Sequence, residues 1–237
     1  MYISGETFNS LCPISIYSRQ YLSKFPNILK YTTHVLFIDE MTSSMDMVIK
    51  DNKNIFFIKV GWLNYFIENI MPKLTQRFIL ITHNGDELSG CSPEILKHPL
   101  LIKWYGQNMS VISEKTEGIP IGLENSSFKR TDFNVINQNK NNSKVNLLYV
   151  NFSIMSNKNR ANILKIILNN DFLENKKKPW NNYIEELSTY KFSVSPPGNG
   201  VDCHRTWECL YLGVIPIVEN SPVMSFFSDL PIPTVFI

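Results

Sequence analysis

The sequence predicts an α/β protein built from two units, on three observations. Short apolar, β-rich runs alternate with stretches of helical periodicity along the chain. A polar segment, residues 125–143, dense in Asn, Ser, Lys and Gln, breaks that alternation and reads as a linker or long surface loop. Hydrophobic residues make up 43% of the chain and aromatic ones 12%, which is ample for a buried core. Units at residues 1–130 and 144–237 are expected to flank a ligand cleft, because open parallel sheets bind at the carboxyl ends of their strands.

In the first unit, residues 34–38 (HVLFI) read as a buried strand and residues 55–60 (IFFIKV) as another, with a helix over residues 62–70. Residues 78–82 (FILIT) form the clearest strand of this half and run into the polar turn His83-Asn84-Gly85-Asp86. Residues 100–106 and 119–122 complete it. Beyond the linker, residues 147–150 (LLYV) open the second unit. Ile163, Leu164, Ile166, Ile167 and Leu168 crowd one side of an amphipathic helix over residues 159–169. A strand at 192–195, a helix at 202–212, a strand at 214–218 and a last strand at 234–237 follow.

Several classes are disfavoured by composition. A formal net charge of +2 gives no polyanion-coating surface, so no nucleic-acid partner is expected. Cys12, Cys91, Cys203 and Cys209 form no CxxC pair, which argues against a zinc site and against a disulfide scaffold. A reduced compartment such as the cytoplasm is the simpler expectation. No apolar run approaches the ~18 residues of a membrane-spanning helix, and no basic-then-apolar leader opens the chain. Neither a transmembrane segment nor a signal peptide is therefore expected.

The chemistry concentrates in SVSPPGNGVDCHRTWECLYLGVIPIV, residues 193–218, which reads as strand, glycine loop, helix, strand. Gly198 and Gly200 permit positive φ and close backbone approach on either side of Asn199. Asp202 is a good N-cap, and the helix it opens would aim its positive dipole end at whatever fills the loop. A diphosphate suits that field, and Arg205 adds a bidentate cation. Glu208, one turn later, can accept from ribose hydroxyls. The donor site expected here comprises Ser195, Gly198, Asn199, Gly200, His204, Arg205 and Glu208. The plainer alternative makes Arg205 and Glu208 an i,i+3 surface pair. His204 and Glu208 stand i,i+4, but with no third ligand no metal site is expected.

Within that run, SPPGNGVDCHRTWECLYLGVIPIV, residues 195–218, resembles the donor-binding half of exostosin-like glycosyltransferases, particularly compact microbial and giant-virus members. The upstream pieces FILITHNGD, IKWYGQN, IPIGLENS and LLYVNFSI resemble other blocks of that group in the same order. The resemblance spans roughly residues 78–237. It implies the GT-B architecture of two Rossmann-like domains, with the nucleotide sugar held by the C-terminal one. By position it sets Glu208 on the ribose, and Arg205 with the 198–200 turn on the diphosphate. Phe128-Lys129-Arg130 replaces a Trp-Pro-like segment of the relatives, which implies an altered inter-domain loop. The chain ends on a strand where relatives carry closing helices, which reads as a truncated C-terminal domain.

What such a resemblance implies is an inverting, metal-independent transfer from a nucleoside-diphosphate sugar to a glycan or other hydroxyl acceptor, with no further cofactor. Asp-x-Asp, the metal-chelating signature of the other main architecture, does not occur. An inverting transfer needs a base. Asp86 and His83, at the carboxyl end of a strand, are the candidates, although Asn84-Gly85-Asp86 is also plain turn chemistry. Trp104 and Asn108 are candidates for the acceptor site, with Trp104 equally readable as core. Two alternatives stand. One is a dinucleotide oxidoreductase, since Gly198-x-Gly200 opens a helix and Glu219 ends the next strand; Cys203, however, occupies the third glycine position. The other is a non-catalytic nucleotide- or sugar-binding module.

Overall fold

The computed structural model describes residues 2–12, 14–24, 34–37, 54–126, 131–168 and 178–237. The chain divides into two compact units, Met1–Ile121 and Gly122–Ile237. Each is an α/β layer structure on one parallel sheet.

The first sheet contains β1 (Ile14–Tyr17), β2 (His34–Phe37), β3 (Ile55–Lys59), β4 (Phe78–His83), β5 (Leu101–Gly106) and β6 (Thr116–Gly118). Their spatial order is β2-β1-β3-β4-β5-β6. The order reverses between β1 and β3, the kind of switch point that opens a crevice at the strand carboxyl ends. Apolar runs such as Phe56-Phe57-Ile58 are fully buried, as strands covered on both faces require.

Strand β1, between β2 and β3, is not legible as a strand in the sequence. It is only four residues long and contains Ser15, whose buried hydroxyl donates to Asn9 Oδ1 at 2.6 Å. Asn9 comes from α1 (Gly5–Ser10), where Ser4 accepts from the Thr7 N–H, and α2 (Arg19–Lys24) follows β1. The edge strand lies at 116–118 rather than the expected 119–122. Ile119 contributes only a backbone N–H to Gly106 O at 3.0 Å. The expected helix over 62–70 is a mixed helical stretch, with 3-10 turns at Val60–Trp62 and Met71–Lys73, one α turn, α3 (Leu63–Tyr65), and a π turn at Phe66–Ile70. Phe66 anchors it edge-on to Phe56, ring centroids 5.5 Å apart. A short helix, α4 (Pro93–Leu96), precedes β5.

The second sheet runs β7 (Asn146–Tyr149), β8 (Tyr190–Val194), β9 (Ile215–Val218) and β10 (Val235–Phe236) in sequential spatial order. Its helices are α5 (Phe133–Asn139), α6 (Asn159–Leu168), α7 (Trp180–Leu187), α8 (His204–Tyr211) and α9 (Pro222–Ser225). Ile163, Leu164 and Ile167 of α6 pack on the core cluster Val150, Phe152 and Val194, whereas Ile166 is exposed. The polar segment expected as a linker contributes α5 to this unit. Asp132 caps that helix through the Asn134 N–H at 2.9 Å, Ile136 is buried, and Asn125 is buried as well. One apolar side chain and one cap suffice for this short helix, too weak a pattern to register against so many polar residues. Residues 128–130, together with positions 38 and 169 of two expected elements, lie outside the described residues.

Candidate functional site

Strand β8 hands the chain to a loop over residues 195–203, and α8 carries it away. Ser195 is buried at the strand end: its N–H donates to Ile217 O at 2.8 Å, and its hydroxyl shares a 2.9 Å hydrogen bond with Thr206. The side chain expected at the donor thus ties the loop to the first turn of α8.

Asp202 does not cap that helix. Cys203 is the N-cap residue, without a side-chain cap bond, and Asp202 accepts the Trp207 indole N–H on both oxygens, at 2.8 and 3.0 Å. With Asp202 only 2% exposed, a buried carboxylate and a buried indole donor satisfy each other. Neither Gly198 nor Gly200 has positive φ, against expectation. Space is tight at Gly198: a Cβ there would lie 3.2 Å from the Arg160 guanidinium, which would have to give by a few tenths of an ångström. The next glycine's carbonyl accepts the Gly198 N–H at 2.9 Å, folding Asn199 into a tight turn.

Arg205 and Glu208 share a face of α8, as their spacing requires, and that face meets α7. Trp180 Nε1–H donates to Glu208 Oε1 at 3.0 Å and the Tyr183 hydroxyl to Oε2 at 2.7 Å. Arg205 Nε–H donates to the Tyr183 hydroxyl at 3.3 Å, and its guanidinium lies 5.4 Å from the Tyr183 ring centroid. Glu208 is only 6% exposed, so the expected solvent-facing ribose acceptor is a carboxylate with one donor on each oxygen. Burial first, and then the Glu208 charge, hold the Tyr183 hydroxyl well above its ordinary pKa, so it remains a donor. His204 is partly exposed and bonds Gly122 O through Nδ1 at 2.8 Å. A carbonyl can only accept, so Nδ1 carries the hydrogen.

On the far side of the loop stands Arg160, near the start of α6. Its Nε–H donates to Pro197 O at 2.8 Å, Nη2 to Pro196 O at 2.9 Å, and Nη1 to Ser153 O at 3.0 Å and Ser156 Oγ at 2.8 Å. Asn157 Nδ2 donates to Gly198 O at 3.0 Å. Arg160 also lies against the Phe152 ring, 5.6 Å from its centroid. Burial lowers the Arg160 pKa and Arg205 adds to that shift, with Cys203 opposing it.

In the first unit, the turn after β4 is fixed from β5. Gln107 Oε1 accepts the Asn84 N–H at 2.9 Å while Gln107 Nε2 donates to Gly85 O at 2.7 Å. Asn84 takes φ 59°, the left-handed conformation Asn tolerates. Asn108 Nδ2 donates to Asp86 O at 3.2 Å. Asp86 itself is exposed. His83 is 1% exposed and engaged at both ring nitrogens: Nδ1 accepts the Asn84 N–H at 2.8 Å, and Nε2 faces Pro120 O at 3.0 Å. Asn84 Oδ1 also lies 3.1 Å from Nδ1, so the ring has protein partners at both nitrogens and almost no solvent exposure.

Trp104 and Asn108, expected at an acceptor, are both buried. Trp104 is 0% exposed, and its indole N–H donates to Thr82 Oγ1 at 2.9 Å in the sheet core. Asn108, with φ 53°, serves the turn. A cavity of about 620 Å³ opens beside that turn, at the carboxyl ends of β3 and β4. Gly61, Asn64, Glu68, Glu87, Ser92 and Glu94 are among its lining residues.

Arg160, Trp180 and Tyr183 are absent from the sequence reading, and Gln107 enters it only within the IKWYGQN segment. Trp180 and Tyr183 sit i,i+3 in WNNYIEEL, a helical pattern that could have been found. Arg160 opens a helix whose aliphatic stripe drew all the attention. Among the described residues, no group of three or more His, Cys, Asp or Glu side chains could hold a metal ion, and no helix is long and apolar enough to cross a membrane. No family model matches the chain, and no curated protein is significantly similar to it.

Proposed function

We propose that this chain is a glycosyltransferase of GT-B type that moves a sugar from a nucleoside diphosphate to a glycan or other hydroxyl acceptor. One observation carries the reading. A strand–glycine loop–helix turn stands at the carboxyl end of a parallel sheet, with Arg160 bonded to the loop carbonyls, Arg205 in the first turn of the helix that follows and Glu208 held in place by α7. Asp202 and Glu208 already accept from indole and hydroxyl donors, and the Arg205 guanidinium at the helix start is the cation a diphosphate would engage. Such preorganised charge also stabilises a departing diphosphate without a metal.

The exostosin-like resemblance of residues 195–218 supports the same donor class. Glu208 keeps lone pairs beyond its two bonds and can accept from a ribose at the edge of the α7–α8 contact. Asp86, exposed beyond β4, is the better base: it is a carboxylate on a fixed turn, whereas His83 is enclosed. With Trp104 and Asn108 buried, the cavity lined by Asn64, Ser92 and three carboxylates becomes the acceptor-side candidate, since its groups suit sugar hydroxyls. The dinucleotide alternative fits less well, because Cys203 Sγ fills the third glycine position, 3.4 Å from Pro196 O.

Thermal unfolding with UDP-, GDP- and dTDP-sugars, and with NAD, tests this. One nucleotide sugar should raise stability in a saturable manner, by about 2.7 kcal/mol at a hundred times its Kd. A response to NAD alone would replace the proposal with the oxidoreductase.

A further inference from the structure

Three successive loop carbonyls, those of Pro196, Pro197 and Gly198, are bound from α6 and the turn before it: the first two by Arg160, the third by Asn157. Carbonyl oxygens carry partial negative charge, so a diphosphate meeting this loop would be repelled by any that faced it. Drawing all three to one side removes that repulsion. Pro196 and Pro197 have no N–H and cannot hold the loop through their own donors. Within the loop the Gly198 N–H and the Cys203 thiol reach its own carbonyls, and Arg160 has the geometry to hold the two proline carbonyls from outside. Its planar fork reaches two adjacent carbonyls, while the remaining nitrogen is anchored to Ser153 and Ser156. The missing Cβ of Gly198 makes room for that fork.

We infer that Arg160 is the positioning residue of the nucleotide loop, holding residues 196–198 with their carbonyls turned from the diphosphate, rather than a direct phosphate ligand. The nucleotide half of this inference rests on the glycosyltransferase reading; the loop half does not.

Two measurements on the full chain separate the halves. Amide hydrogen exchange over residues 198–203, without ligand, reports the loop. Calorimetric titration with UDP, GDP and dTDP reports the nucleotide. Arg160→Ala should speed exchange in that segment at least tenfold and weaken the nucleotide that binds the unaltered protein by about tenfold, or about 1.4 kcal/mol. Guanidinium ion at sub-denaturing concentration should restore part of both. Arg160→Lys should behave like Arg160→Ala, because one ammonium cannot bridge two carbonyls while anchored elsewhere. Unchanged exchange in Arg160→Ala overturns the inference and leaves the glycosyltransferase reading intact, as does full recovery in Arg160→Lys, which would mean charge alone suffices. Altered exchange with no nucleotide binding to the unaltered protein removes the glycosyltransferase reading and keeps the clamp. If Arg160→Ala does not fold, Asn157→Ala, which frees only the Gly198 carbonyl, should shift both readouts in the same direction to a smaller extent; no shift overturns the inference.

Discussion

Asp86 and His83 are three positions apart, yet their surroundings differ in kind. His83 is enclosed, with each ring nitrogen already in contact with a protein partner, so a substrate hydroxyl has no open approach to it. Asp86 is exposed, and its backbone is held by Asn108 while its side chain projects from a turn bracketed by Gln107. Under the proposed chemistry, Asp86→Asn should lower turnover by about 10²–10⁴-fold, the usual contribution of a general base, with nucleotide affinity unchanged. Steady-state kinetics beside calorimetry read both quantities. Full turnover in Asp86→Asn would make this carboxylate a turn residue only. The sequence placed both residues at a strand end, which the structure bears out, but the enclosure of His83 depends on Pro120, 37 positions away.

Among the elements, the α7–α8 contact sets the character of the donor side. Glu208 joins two helices: it accepts from Trp180 and Tyr183 on α7, and Tyr183 in turn accepts from Arg205 on α8. Under the proposed function Glu208→Ala should therefore act twice, removing a ribose acceptor and leaving the Trp180 and Tyr183 donors without their acceptor. A loss of about 1–3 kcal/mol in unfolding free energy is expected, the cost of stranding buried polar groups, together with weaker nucleotide binding. Denaturant titration measures the first and calorimetry the second. A stability loss with nucleotide affinity intact would assign Glu208 to the helix contact alone. Spacing on α8 was legible from i,i+3 periodicity. The partners on α7 were not, because the 180–187 segment was never identified as a helix.

For the whole molecule, the four cysteines provide a test of both units that does not depend on function. All four are free thiols; Cys12 and Cys209 are buried, Cys91 is exposed and Cys203 is partly exposed. Burial pushes Cys12 and Cys209 up to about 12 from an ordinary 9.0. At pH 8 their thiolate fraction is then about one in ten thousand, and the thiolate is the reactive form. A disulfide reagent at pH 8 should titrate Cys91 first and reach Cys12 and Cys209 only on unfolding, as mass spectrometry of the labelled peptides would show. Rapid labelling of Cys12 or Cys209 in the native protein would contradict the packing of the corresponding unit. The same shifts make stability pH-dependent. In the unfolded chain these thiols ionise near pH 9, before the folded ones, so their contribution is complete below that pH and declines toward pH 12.

Alternating apolar runs determined by themselves that the protein is α/β, since period and β-branched content are local properties. The turn at residues 195–203 was equally local, marked by two prolines and two glycines beside a helical repeat. What only the tertiary structure decided is which partner each polar group has. Trp104 spends its indole on Thr82, Asp202 accepts from Trp207 instead of capping α8, Glu208 is taken up by α7, and the loop takes its shape from Arg160. Strand β1 of the first sheet was also decided there, through Ser15 and its bond to Asn9. The reason is the same each time. A buried polar group must find a partner wherever the fold brings one, and apart from Asn9 and Trp207 these partners lie 22 or more positions away, as with Thr82 and Trp104, beyond the reach of any local pattern.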